Sequence, residues 1–206
     1  MNLILPLVVG FNLGLSGAMI PGPLFLFTVS EVLEKDLWVG FKIVLGHLLI
    51  EAVFMALVLL GALKTLPSQK IVSGISIIGG VALVIMGSLI LRKAGSMRLS
   101  RRAKIQFGYG AITGGAFFSA VSPGFLIWWA TVGTPFLFQA LRVSTLGAIS
   151  WIIGHWVADV AWYGFVSYSV HKGKQYLTDP IYQNIMRILA LMLIFMGIYS
   201  SIRTFA

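Results

Sequence analysis

From Met1 to Ser30 the chain carries no charged residue, and within that run stands Pro21-Gly22-Pro23. At about 1.5 Å per residue, a helix over this run can cross a hydrocarbon layer of about 30 Å. Each proline removes a backbone donor and clashes with the preceding turn, so the helix is expected to break near mid-membrane. Hydrocarbon tolerates the freed amide and carbonyl groups only where they line a cavity or are buried in protein. A second break, Ser122-Pro123-Gly124, falls in another apolar run about a hundred residues later. Interrupted hydrophobic segments at matching places in two halves of a chain point to a transporter's binding site.

The remaining sequence fits that frame. Of 206 residues, 58% are hydrophobic and 10% charged, a balance that leaves a soluble domain without enough polar surface. Six apolar runs, roughly 3–30, 39–63, 71–91, 105–132, 144–170 and 182–203, each approach or exceed the ~20 residues of a spanning helix. The expectation is an all-α membrane protein, one transmembrane domain over 1–206, with helices 1 and 4 broken at the proline motifs. The connections are read as Glu31–Asp36, Lys64–Lys70, Arg92–Lys104, Thr134–Arg142 and His171–Asp179, with Glu31, Glu34 and Asp36 as a solvated loop cluster. The N-terminus lacks a basic segment and a small-residue cleavage site, so it is read as a retained first helix.

The net charge of +9 lies mostly in these connections. Lys35, Arg92, Lys93, Arg98, Arg101, Arg102, Lys104, Lys172 and Lys174 fall on one side of six spans; Lys64, Lys70, Arg142 and Arg203 fall on the other. That asymmetry makes the first side cytoplasmic and puts both termini outside. Orientation accounts for the charge, and no nucleic-acid partner is expected. With no cysteine, disulfides, thiolate metal sites and thiol redox chemistry are excluded. No cofactor is called for.

The two halves carry a weak internal repeat, one copy over about 3–92, a basic loop over 92–104, and a second copy over about 105–203. Gly10-x3-Gly14 precedes the first break and Gly110-x3-Gly114 the second. Gly46-His47-x3-Glu51 matches Gly154-His155-x3-Asp159, and Ile85-Met86-Gly87 matches Phe195-Met196-Gly197. Three helices per copy is an odd number, so the second copy enters the membrane from the opposite side as an inverted repeat. The glycine pairs are read as close-packing faces within one chain, a homo-oligomer face being the less favoured reading.

Glu51 and Asp159 are the acids well inside apolar runs, and a carboxylate at that depth costs about 2.5–3.5 kcal/mol even on the permissive insertion scale. Each therefore faces the bundle interior with a partner, and His47 and His155, at i, i+4, supply one on the same helix face. Three roles stay open: binding a substrate ammonium group, carrying a proton, or locking helices together. The half-helices after Pro23 and Pro123 direct N–H groups and positive dipole ends toward the midplane, which suits a carboxylate. Together the two sets fit a small zwitterion bound by Pro21, Gly22, Pro23, Glu51, Ser122, Pro123, Gly124 and Asp159. His47, Glu51, His155 and Asp159 also make a two-histidine, two-carboxylate set for a divalent metal, the basis of an alternative reading as a metal-cation exporter. A non-transporting membrane scaffold is a further alternative. No His-Glu-x2-His or Gly-x-Ser-x-Gly motif supports an enzyme. Trp128, Trp129, Trp151, Trp156 and Trp162 are open to reading as interfacial anchors or packing, and Trp156 and Trp162, flanking Asp159, are the two for which a substrate contact is also open.

These residues resemble a known family. The uncharged first helix with Pro21-Gly22-Pro23, the following Gly40-Phe41 and Gly46, and the basic loop after three spans look like the LysE family of amino-acid exporters. Phe117 through Pro123, followed by Trp128, is similar to that family's fourth helix, with Ser122 and Gly124 where asparagine and lysine are usual. The resemblance covers essentially the whole chain. It implies a multi-pass plasma-membrane protein that exports amino acids or related small metabolites, driven by protons.

Overall fold

A computed structural model describes residues 3–20, 22–61, 69–96 and 110–202. Among them are α1 (Ile4–Ala18), α2 (Pro23–Glu34), α3 (Leu37–Leu59), α4 (Gln69–Ala94) and α5 (Ala111–Ala120). There follow α6 (Pro123–Trp128), a π-helical turn (Trp129–Gly133), α7 (Thr134–Val143), α8 (Thr145–Gly173) and α9 (Asp179–Ile202). Pro21 and the loop residues Lys64, Arg98, Arg101, Arg102, Lys104 and Arg203 lie outside the described residues.

The protein is all-helical in its described residues, and large apolar side chains are exposed on its surface: Ile188, Leu191, Phe195 and Ile198 point outward from α9, while His47, Glu51, His155 and Asp159 are buried. By length and apolarity α3, the stretch Gly124–Val143 and Asp179–Tyr199 can each cross a membrane, and the bent pair α1–α2 makes up to four. α8 is long enough at 29 residues, but His155, Asp159 and its tryptophans interrupt its apolar sequence.

Both proline breaks are real interruptions. Gly22 is extended and Pro23 occupies the first turn of α2, where its missing N–H costs nothing. The axes of α1 and α2 differ by 75°. At the second site Ser122 is extended and Pro123 heads α6.

The helices pack through an exchange. α1 packs chiefly on α8, and α5 chiefly on α3. The buried residues of α1 are Gly10, Gly14 and Ala18, one small-residue stripe at i, i+4, i+8. A side-chain carbon at Gly10 would strike the carbonyl of Trp151, and one at Gly154 the carbonyl of Leu7. In the other contact Gly115 meets the carbonyl of Ile43, and Gly46 that of Ile112. Trp151 and Ile43 each stand four residues before a histidine of the Gly-His motifs. The glycine register expected from sequence is therefore corrected: Gly115, not Gly110 or Gly114, is the counterpart of Gly10. Gly110 is the exposed cap of α5, and Gly114 abuts the ring of Phe27.

Two further expectations are corrected. Thr134–Arg142 is helix, not a connection, and only Ser144 separates α7 from α8, capping α8 by accepting from Gly147 N–H at 2.9 Å. Pro135 cannot donate to Thr131, and the π-turn just before it absorbs the missing bond, so the helix continues. The acidic cluster is not a solvated loop. Glu31 is buried on α2 and paired with Lys35, while Asp36 caps α3 by accepting from Trp38 and Val39 N–H at 2.8 and 3.2 Å.

Two apolar cores result. One joins α2, the first half of α3, α4, α5 and α9 around Leu26, Ile43, Phe118 and Met186; the other joins the far half of α3 to α7 and the start of α8 around Met55, Leu137 and Trp151. α3 and α8 run in both, and their polar residues fall between the two.

Candidate functional site

Helical periodicity decides what α3 and α8 present there. Ile43, His47, Glu51 and Met55 recur every four residues on α3, as do Trp151, His155, Asp159 and Tyr163 on α8, and all eight are buried. The apolar ends of each stripe sit in the two cores, and the four polar residues meet in the middle.

Their atoms converge. His155 Nε2 lies 3.0 Å from Glu51 Oε1 and 3.5 Å from Asp159 Oδ2. His47 Nε2 lies 3.4 Å from the same Glu51 oxygen and 3.9 Å from Asp159 Oδ2. Each histidine thus faces the acid of its own helix and the acid of the other. Trp129 Nε1–H donates to Glu51 Oε1 at 3.2 Å.

Hydrogen bonding fixes one histidine's tautomer. The single hydroxyl proton of Ser119 goes to the Gly115 carbonyl at 2.7 Å, so at 2.8 Å from His47 Nδ1 the Ser119 oxygen accepts. His47 therefore carries a proton on Nδ1, and its Nε2 faces two carboxyl groups. That contact is attractive only when a proton sits on Nε2 or on a facing carboxyl oxygen.

Aromatic rings and glycines position His155. Its imidazole lies nearly parallel to Trp128, with centroids 4.9 Å apart, and to Trp151, 5.5 Å away. Gly14 gives the ring room, since a side chain there would press on Nδ1 at 2.6 Å. The adjacent Trp128 and Trp129 both line the cavity, and a π-turn begins at Trp129.

The cluster opens into a cavity of ≈ 120 Å³ that both breaks also line, through Gly22 and Pro23 on one side and Ser122 and Gly124 on the other. The N–H groups of Leu24 and Phe25 precede the first intrahelical bond of α2, Leu26 to Gly22 at 3.1 Å, so this helix end offers donors toward the cavity. The structure thus brings together Gly22, Pro23, His47, Glu51, Ser122, Gly124, His155 and Asp159, with Pro123 between Ser122 and Gly124. His47, Glu51 and Asp159 each offer a nitrogen or oxygen within 4.8 Å of the others, donor types that could also hold a divalent cation.

Trp156 and Trp162 do not line the cavity; Trp156 borders an open groove with Ile153 and Val157, and Trp162 packs toward Phe165. Trp128, Trp129, Ser119, Phe125 and Tyr163 line it instead. For Tyr163 and Trp151 the signal was present, as the four-residue stripe through His155 and Asp159.

A helical bundle with a lipid-compatible exterior, interrupted helices and a polar cavity between two apolar cores is the architecture of a small-molecule membrane transporter. A model of the LysE type translocator family matches residues 15–203, and the chain belongs to that family. Comparison with curated proteins and with solved structures returns no match.

Proposed function

We propose that this transporter exports amino acids or related small zwitterionic metabolites across the plasma membrane, coupled to protons. One observation carries the reading: two Gly-His-x3-acid faces, 108 residues apart by 155 − 47, meet in one buried cluster inside a cavity walled by both helix breaks. The donors at Gly22–Phe25 suit a substrate carboxylate, and Glu51 and Asp159 suit its ammonium group. His47 and His155 share protons with those acids, so protonation and substrate compete for the same oxygens, and that competition couples the two fluxes.

The reciprocal packing of α1 on α8 and α5 on α3 supports two inverted three-helix copies and six spans. In that arrangement the basic connections are cytoplasmic and both termini lie outside. One copy rocks against the other about the cluster to alternate access.

The test is efflux from proteoliposomes loaded with labelled amino acids under an imposed pH gradient, beside vesicles loaded with divalent metals. Gradient-dependent loss of amino acids is the expected result. Metal loss that requires His47 and His155, without amino-acid loss, would overturn it in favour of a cation exporter.

A further inference from the structure

Resting on that exporter reading, we infer that the substrate is a small amino acid with a short, uncharged side chain, of alanine or serine size, and that Trp128 sets its upper size limit. Size is the first argument. A cavity of about 150 Å³ accommodates benzene, and the ≈ 120 Å³ here is smaller. Leucine, phenylalanine and lysine exceed it once their backbone groups occupy the cluster and the end of α2.

Charge is the second argument. Two imidazoles already face the two carboxylates, so no further buried anion is present among the described lining residues to receive a lysine or arginine side chain. No lysine or arginine is among those lining residues, which leaves the second carboxylate of aspartate or glutamate without a partner. A buried, unpaired charge is strongly disfavoured because it loses its hydration without a partner. The walls that remain for a substrate side chain include Phe125, Trp128, Tyr163, Ala18, Leu24 and glycines, which accept a methyl or hydroxymethyl group.

Trp128 is the wall most able to set the limit. Its indole lies on His155, and its Nε1 would be 2.8 Å from any side-chain carbon at Gly17. Gly17 therefore lets the ring sit where it does. Removing the ring extends the cavity, and adding a carbon at Gly17 drives the ring further in.

The experiment measures efflux of alanine, serine, leucine, lysine and aspartate from proteoliposomes, for the wild type and for Trp128→Ala, Phe125→Ala and Gly17→Ala. The wild type is expected to move alanine or serine at least ten-fold faster than leucine, lysine or aspartate. Trp128→Ala or Phe125→Ala, whichever purifies as a single species, is expected to raise the leucine-to-alanine ratio at least ten-fold, and Gly17→Ala to lower the serine-to-alanine ratio. Leucine or lysine efflux equal to that of alanine in the wild type would overturn the size and charge limits while leaving the exporter reading intact. An unchanged leucine-to-alanine ratio in both enlarging variants would overturn the role of Trp128. Efflux of no amino acid from folded, inserted protein would overturn the exporter reading and this inference with it.

Discussion

Glu51 on α3 and His155 on α8 meet at 3.0 Å although 104 residues separate them. Each also faces the partner residue of its own helix, so four side chains from two helices form one buried polar cluster. That geometry makes each member's environment depend on both α3 and α8. The residues that frame the unit differ in what their loss should do.

Trp129 donates to Glu51 and packs in the second apolar core. Trp129→Phe keeps most of the packing and removes the donor. A hydrogen bond to a charged group contributes about 1.5–3 kcal/mol, so the thermal unfolding midpoint should fall by several degrees and efflux should fall roughly ten-fold. Efflux equal to wild type would show that this donor has no part in setting the acid's state.

Ser119 accepts from His47 Nδ1–H. In Ser119→Ala the ring keeps a buried donor without a partner, a loss of about 1–3 kcal/mol. The pH profile of efflux should move away from that of the wild type, and Ser119→Thr, which restores the hydroxyl, should return it. A profile that is the same in all three proteins would contradict the tautomer assigned here.

The glycine contacts predict stability. Gly10→Ala and Gly115→Ala each force a carbon against a backbone carbonyl, of Trp151 and of Ile43, which no rotamer can relieve. Overpacking of this kind costs about 1–3 kcal/mol. Both variants should unfold at lower temperature in detergent, whereas Gly173→Ala, which meets nothing within 4 Å, should not.

Asp36 caps α3 through two backbone N–H groups. Asp36→Ala should cost about 1 kcal/mol. For a chain of this length that lowers the thermal midpoint by roughly 2–4 °C. Asp36→Asn, which keeps an acceptor, should recover most of the difference.

The four central residues were legible in the sequence because a buried acid in an apolar helix has so few tolerable surroundings, and i, i+4 spacing names the nearest partner. The breaks were legible because proline's effect on a helix is local. What surrounds the cluster was not, for reasons that lie in particular residues. Trp128 and Trp129 both line the cavity, and nothing in Trp129-Ala130-Thr131-Val132-Gly133 announces the π-turn that begins there. The same turn carries the helix past Pro135, which sequence alone reads as an ending. Glu31 looks like a loop residue until Lys35 is seen one helical turn away, pairing with it as α2 closes. The counterpart of Gly10 was misplaced because the two proline breaks align at an offset of 100, by 123 − 23, whereas the packing aligns Gly10 with Gly115 at 105, by 115 − 10.

The central claim is that the four-residue unit couples proton movement to export. Its most direct test is pH-gradient-driven amino-acid efflux from proteoliposomes bearing Glu51→Gln or Asp159→Asn, with insertion verified for each protein. Both substitutions keep side-chain shape and one acceptor oxygen while removing the titrating group. The account predicts that the response to the pH gradient is lost in at least one variant and cut at least ten-fold in the other. Gradient-driven efflux at the wild-type rate in both would contradict it, and would leave the cluster as a structural tie between α3 and α8.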